Sequence, residues 1–184
     1  MRKLALVLIC TLLSACLDSI NPASDPAKAA VDPALLGAWR GTFDDDVVYL
    51  HVGWSDALSR MQAVTVEHRK KDGALDVSEY TAFPSHLGKL DVLNVMQTSG
   101  KDRSDGYTLL KYRASGGKLT LWSMSEEALR ADVKAGKVKG TVGSDTFGDV
   151  TITASTAEIA AYLQAADPAR LFTNVLKFDR AGKT

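Results

Sequence analysis

Met61-Gln62-Ala63-Val64-Thr65-Val66-Glu67-His68-Arg69, then Lys70-Lys71-Asp72-Gly73, then Ala74-Leu75-Asp76-Val77-Ser78-Glu79-Tyr80-Thr81 is the stretch that decides the fold. Apolar and polar residues alternate on both sides of a turn, and alternation is the signature of a strand with one buried face. Asp72-Gly73 supplies residues tolerant of the positive φ that tight hairpins require. Two strands joined this closely must pair antiparallel.

The same pattern extends in both directions. Strands are predicted over 37–43, 47–52, 61–69, 74–81, 89–96, 107–113 and 118–123. Turn chemistry falls between them at Ser104-Asp105-Gly106 and Ser115-Gly116-Gly117. Pro84, Ser85 and Gly88 read as the end of one strand and the start of a longer excursion. Two helices follow. Ser123-Met124-Ser125-Glu126 and Ser155-Thr156-Ala157-Glu158 both have the Ser-x-x-Glu spacing of a capping box. Leu129 and Val133 make the apolar face of the first, with Gly136 as its stop, and Ile159, Tyr162, Leu163 and Ala166 make that of the second, closed by Asp167-Pro168. Short strands are predicted over 138–142 and 149–154, and a last one over 172–178. The class is mainly β: an antiparallel barrel or strongly curved sheet with two short packed helices, because closure removes exposed edges.

The front of the chain reads differently. Met1-Arg2-Lys3 is basic, residues 4–13 form a short apolar run, and Leu13-Ser14-Ala15-Cys16 follows. These are the parts of a secretory signal peptide, and the run is too short to span a bilayer. Leu13-Ser14-Ala15-Cys16 resembles the lipobox of bacterial lipoproteins. That resemblance implies removal of residues 1–15, lipidation of Cys16 as the first mature residue, and, with Leu17 rather than Asp after it, the periplasmic face of the outer membrane. The bilayer is then a partner through the acylated Cys16. Residues 16–32, with Asn21-Pro22-Ala23-Ser24-Asp25-Pro26, read as a flexible tether, and 33–184 as one β-rich domain. Roughly 150 residues are enough to bury a core.

Cysteine and charge counts narrow the chemistry. Of two cysteines, Cys10 leaves with the leader and Cys16 is consumed by lipid, so the mature domain has no disulfide, thiolate metal site or cysteine nucleophile. Loss of Arg2 and Lys3 leaves 20 basic residues against 22 acidic, an unsuitable balance for nucleic acid. His51 and His68 sit on predicted strands and His86 in a predicted loop, without metal-ligand spacing even with Asp45 or Glu67 nearby. Asp44-Asp45-Asp46 reads as a turn, since no calcium-loop spacing follows. No Gly-x-Ser-x-Gly is present, Gly143-Ser144-Asp145 reads as a loop triplet with no following helix to hold a strained nucleophile elbow, and no phosphate-cradling glycine loop is present. No cofactor, metal or catalytic residue is therefore assigned.

Leu36-Gly37-Ala38-Trp39 resembles the Gly-x-Trp start of lipocalin-like barrels, in which the tryptophan caps the closed end. The resemblance implies a carrier of a small apolar ligand. Trp39, Tyr49 and Trp122 are the candidate ligand-binding residues, with Tyr80, Tyr107 and Phe178 as further rings for a cup or a core. Trp54 reads as an exposed loop residue. The first expectation is a binding or interaction module of the cell envelope; the carrier is second and a histidine-carboxylate envelope hydrolase last. An apolar cavity of roughly 300 Å3 or more would favour the carrier, and a filled interior with an exposed apolar patch the interaction module.

Overall fold

The computed structural model describes residues 18–43, 45–99, 105–143 and 150–182. The leader, Cys16, Asp44, Ser104 and the Ser144-Asp145 pair lie outside them. Eight antiparallel strands close into a barrel: β2 (Gly37–Phe43), β3 (Asp46–Ser55), β4 (Arg60–His68), β5 (Leu75–Leu87), β6 (Leu90–Gln97), β7 (Tyr107–Ser115), β8 (Lys118–Met124) and β11 (Phe172–Arg180). The first seven form a meander, and pairing of β6 with β7 is continuous with it. β11 closes the ring by lying between β8 and β2. Gly73, Gly116 and Gly117 take positive φ at their turns, as the hairpin chemistry requires.

Between β8 and β11 the chain leaves the barrel as α1 (Glu126–Lys134), β9 (Gly140–Val142), β10 (Val150–Ile152), α2 (Thr156–Ala165) and α3 (Pro168–Leu171). Ser155 and Glu158 form the expected capping box. The first helix is capped by Ser125, whose Oγ accepts from Ala128 N, and not by Ser123. Ser123 still belongs to β8, where it pairs with Asn174. Asp167-Pro168 ends α2 and also opens α3, because Asp167 accepts from Ala169 N and proline fits a first helical turn.

Two expectations are corrected. Pro84 does not end β5, which runs through it to a hairpin at Gly88. The last β4 partner of β5 is Ala82, so Pro84 lies where that edge has no neighbour to receive an N–H. The tether is also not a tether. β1 (Asp18–Ser19) pairs antiparallel with β7 and parallel with β10, and Ile20 N donates to Ile152 O at 3.0 Å. Ser19 and Ala23 are each 1% exposed. Proline and small polar residues carry no strand periodicity, so nothing in the local pattern announces this docking, and the domain begins by Asp18.

Alternation along the strands divides the core in two. Inside the barrel lie Trp39, Leu50, Met61, Leu93, Leu110 and Leu121. On its outer wall Val92, Leu109 and Met124 pack against Leu129, Ile159 and Leu163 of the helices. The neighbours Leu109 and Leu110 thus serve different cores, as successive side chains of a strand must.

Candidate functional site

The barrel interior holds an apolar cavity of about 100 Å3, reached by Phe43, Leu50, Tyr80, Val95, Leu119 and Phe178 among others. Leu35, in the segment before β2, enters this lining. That segment is fixed by Tyr112, whose hydroxyl donates to Asp32 Oδ2 at 3.0 Å. Burial and the Asp32 carboxylate both push the Tyr112 hydroxyl well above its ordinary pKa, so it remains a donor.

Trp39 is 1% exposed and donates from Nε1 to Leu35 O at 2.9 Å. The Arg180 guanidinium lies 4.2 Å from the centre of its ring and donates to Leu36 O and Ala34 O. Gly37, at φ +120°, makes this possible: a Cβ there would stand 2.6 Å from Arg180 Nη1. Trp39 is therefore sealed under a cation and a loop, and it does not line the cavity.

The three candidate rings do not share a site. On β2 the inward residues are odd-numbered, but on β3 they are even-numbered, which turns Tyr49 outward against His68 at a ring separation of 5.9 Å. Trp122 also faces out, packed on the helix-side core beneath Lys111 Nζ at 4.2 Å. Of the remaining rings, Tyr80 and Phe178 line the cavity, and Tyr107 stacks edge-on with Phe83 outside it. Trp54 is not a loop residue; it lies near the end of β3, half-buried against the barrel core, and its Nε1 donates to Asp56 Oδ1 at 2.9 Å.

Outside, β3, β4 and β5 present an apolar wall. Register aligns Tyr49, Val66 and Val77 in one cross-strand row, and Val47, His68 and Leu75 in the next. Leu75 and Val77 are 57% and 54% exposed. His51 is on the same face, paired with Val64, so His51 and His68 stand on neighbouring strands four residues out of register and converge on no acid. His86 is on β5 rather than in a loop, exposed, and its Nδ1 lies 2.7 Å from Asp91 Oδ1 across the hairpin. Asp45 takes φ +78° as a turn residue, and Asp46 Oδ1 accepts from Lys70 N. Among the described residues no three histidines or acids group to hold a metal.

At the end of the barrel where β3 begins, Glu67 points inward, half-buried. Burial first, then the neighbouring Asp46 and Asp76, raise its pKa against the opposing pull of Arg69. Comparison with protein-family models, curated proteins and solved structures finds no match.

A feature that sequence reading missed lies on the helix side. Asp132 of α1 is 1% exposed, and it accepts from Tyr162 OH at 2.9 Å, Lys137 Nζ at 3.0 Å and Arg170. Burial pushes its pKa up, but the bonds from Arg170, Lys137 and Tyr162 outweigh this and hold it below the ordinary value. Glu158, bonded to Lys139 and Ser155, is drawn down to about 2. Asp132 braces α1 against α2 and α3, and Glu158 ties the start of α2 to Lys139; both line a surface groove of about 740 Å3. Only the i, i+3 spacing that points Asp132 inward beside Leu129 hints at it.

Proposed function

We propose that this chain is a bacterial lipoprotein, acylated at Cys16 and held at the periplasmic face of the outer membrane, whose barrel is an interaction module of the cell envelope. The leader and its Leu13-Ser14-Ala15-Cys16 box support the address. The observation that carries the module is the wall on which Leu75 and Val77, both exposed on β5, continue across β4 and β3 into the half-buried Val66 and Tyr49, so that the apolar side chains are aligned instead of scattered. A cavity of about 100 Å3 is small beside the 300 Å3 and more of ordinary ligand sites.

The address is tested by palmitate labelling. Wild type is expected to incorporate label and Cys16→Ser to lose both label and envelope sedimentation; an unlabelled wild type overturns the reading. For the module, a photo-crosslinking amino acid at Val77 is expected to give a discrete adduct in intact cells. The adduct should be missing when the probe replaces Lys134 on α1, and should disappear when Tyr49→Asp is added to the Val77 probe. Equal adducts from both positions would discard the wall as an interface.

A second reading, the carrier, is favoured by one observation: the cavity is bordered almost wholly by hydrocarbon, which suits the end of a small apolar molecule and no polar headgroup. Native mass spectrometry of the gently purified domain is expected to retain an apolar adduct if this holds. A bare mass, with no displacement of an apolar dye by short acyl chains, rejects it.

A further inference from the structure

The folded body begins two positions after the residue proposed to carry lipid. Only Leu17 separates Cys16 from β1, and two residues of extended chain reach roughly 7 Å. β1 is not a loose end. It is hydrogen-bonded on one side to β7 and on the other to β10, Asn21 Nδ2 donates to Ala154 O at 2.9 Å, and Ala23 N donates to Asn94 Oδ1 at 2.7 Å. Ser24 Oγ meets Ser85 Oγ at 2.5 Å. To gain slack the chain would have to peel away this strap and strand the buried Asn94 amide, so the anchor is joined directly to the fold.

We infer that the acylated protein lies against the bilayer through the flank that carries β1, with the β3–β4 wall turned away from the membrane. The inference rests on lipidation of Cys16, as proposed above. Its occupant is a lipid surface, chosen because so little chain lies between the acyl site and β1. Ile20, 56% exposed and next to β1, offers an apolar side chain at the depth of the headgroups. Strand order gives the opposite face: β3 is the fourth strand from β7 in either direction around the barrel. The row Tyr49, Val66, Val77 then looks into the periplasm, open to a partner.

The test uses the full acylated chain in phosphatidylethanolamine and phosphatidylglycerol vesicles containing a headgroup-nitroxide lipid. Because the mature chain has no other free thiol, Ile20→Cys and His51→Cys each accept one fluorophore. Quenching is expected to be several-fold stronger at position 20 than at 51. A Gly/Ser spacer inserted between Leu17 and Asp18 should erase the difference. Intact mass reports acylation separately. Acylated protein with equal quenching at both positions, or with a difference the spacer leaves intact, overturns the flush orientation alone. Absence of the acyl mass overturns the orientation and the lipoprotein reading together.

Discussion

The two cores of this protein are built by opposite rules. The barrel interior is assembled from neighbouring strands whose every second side chain points inward, and it is apolar with space to spare, a cavity of about 100 Å3. The core outside the wall joins pieces far apart in sequence, the strap over 18–24 and the helices after residue 125, and four polar residues are buried among or beside them: Ser19, Ser85, Asn94 and Asp132. Periodicity sets the strand register inside the barrel. No periodicity tells a strap or a short helix where to sit, so buried hydrogen bonds fix those positions.

The largest effect should come from breaking the helix brace. Asp132→Ala leaves Arg170, Lys137 and Tyr162 without their common acceptor and is expected to cost about 3 kcal/mol, the lower end for a truncated buried pair because Lys137 and Arg170 are partly exposed. Urea unfolding measures it; a loss below about 1 kcal/mol would mean the brace is ornamental. Asn94→Ala comes next, at about 2 kcal/mol, since it leaves Ala23 N–H, Phe83 O and Ser85 Oγ short of a partner. Hydrogen exchange should show the loss concentrated in residues 18–24. Uniform exchange across the barrel would contradict the division into two cores.

Adding a methyl pair on each side sharpens the contrast. Ala154→Val, at a fully buried position among the helices, is expected to destabilise by about 1–2 kcal/mol through overpacking. Ala63→Val fills space beside the barrel cavity and is expected to gain about 0.5 kcal/mol. If both variants lose stability equally in thermal unfolding, the interior is as tightly packed as the outer core.

The smallest effect is a pH signature of opposite sign. The Asp132 pKa is depressed on folding, so its contribution is present above its ordinary value of 3.8 and is lost as pH falls through the lower folded value. The Glu67 pKa is raised, so its contribution is present below its ordinary 4.5 and is lost as pH rises through the folded value. Glu67→Gln should therefore raise the Tm slightly at pH 7 and lose that advantage near pH 4, while Asp132→Asn should remove part of the acid-induced decline. Parallel pH curves for Glu67→Gln and wild type would show that Glu67 is not held at a cost.

What could be read in advance follows the same division. Alternation from Gly37 to Met124, with Asp72-Gly73 and Ser115-Gly116-Gly117, announced the strands and a closed sheet, and Ser155-Glu158 announced a helix start to the residue. Tyr49 and Trp122 show the limit. Both are strand aromatics, and the pattern of each strand shows two faces, but which face turns inward changes parity from β2 to β3 with the turn between them. A different limit placed Trp54 in a loop and ended β5 at Pro84: Gly53 and Pro84 read locally as breaks, but both strands run through them.

The sequence by itself determined a mainly β chain, the positions of the barrel strands, the start of α2 and the candidate anchor at Cys16, because these depend on local φ/ψ preference, side-chain period and a short contiguous motif. Only the tertiary structure decided that β11 closes the barrel between β8 and β2, that residues 18–24 dock beside β7, and that Asp132 gathers Tyr162 and Arg170 from the later helices. Those contacts join residues 30 to 141 positions apart, where burial and hydrogen-bond satisfaction choose among partners that are locally equivalent.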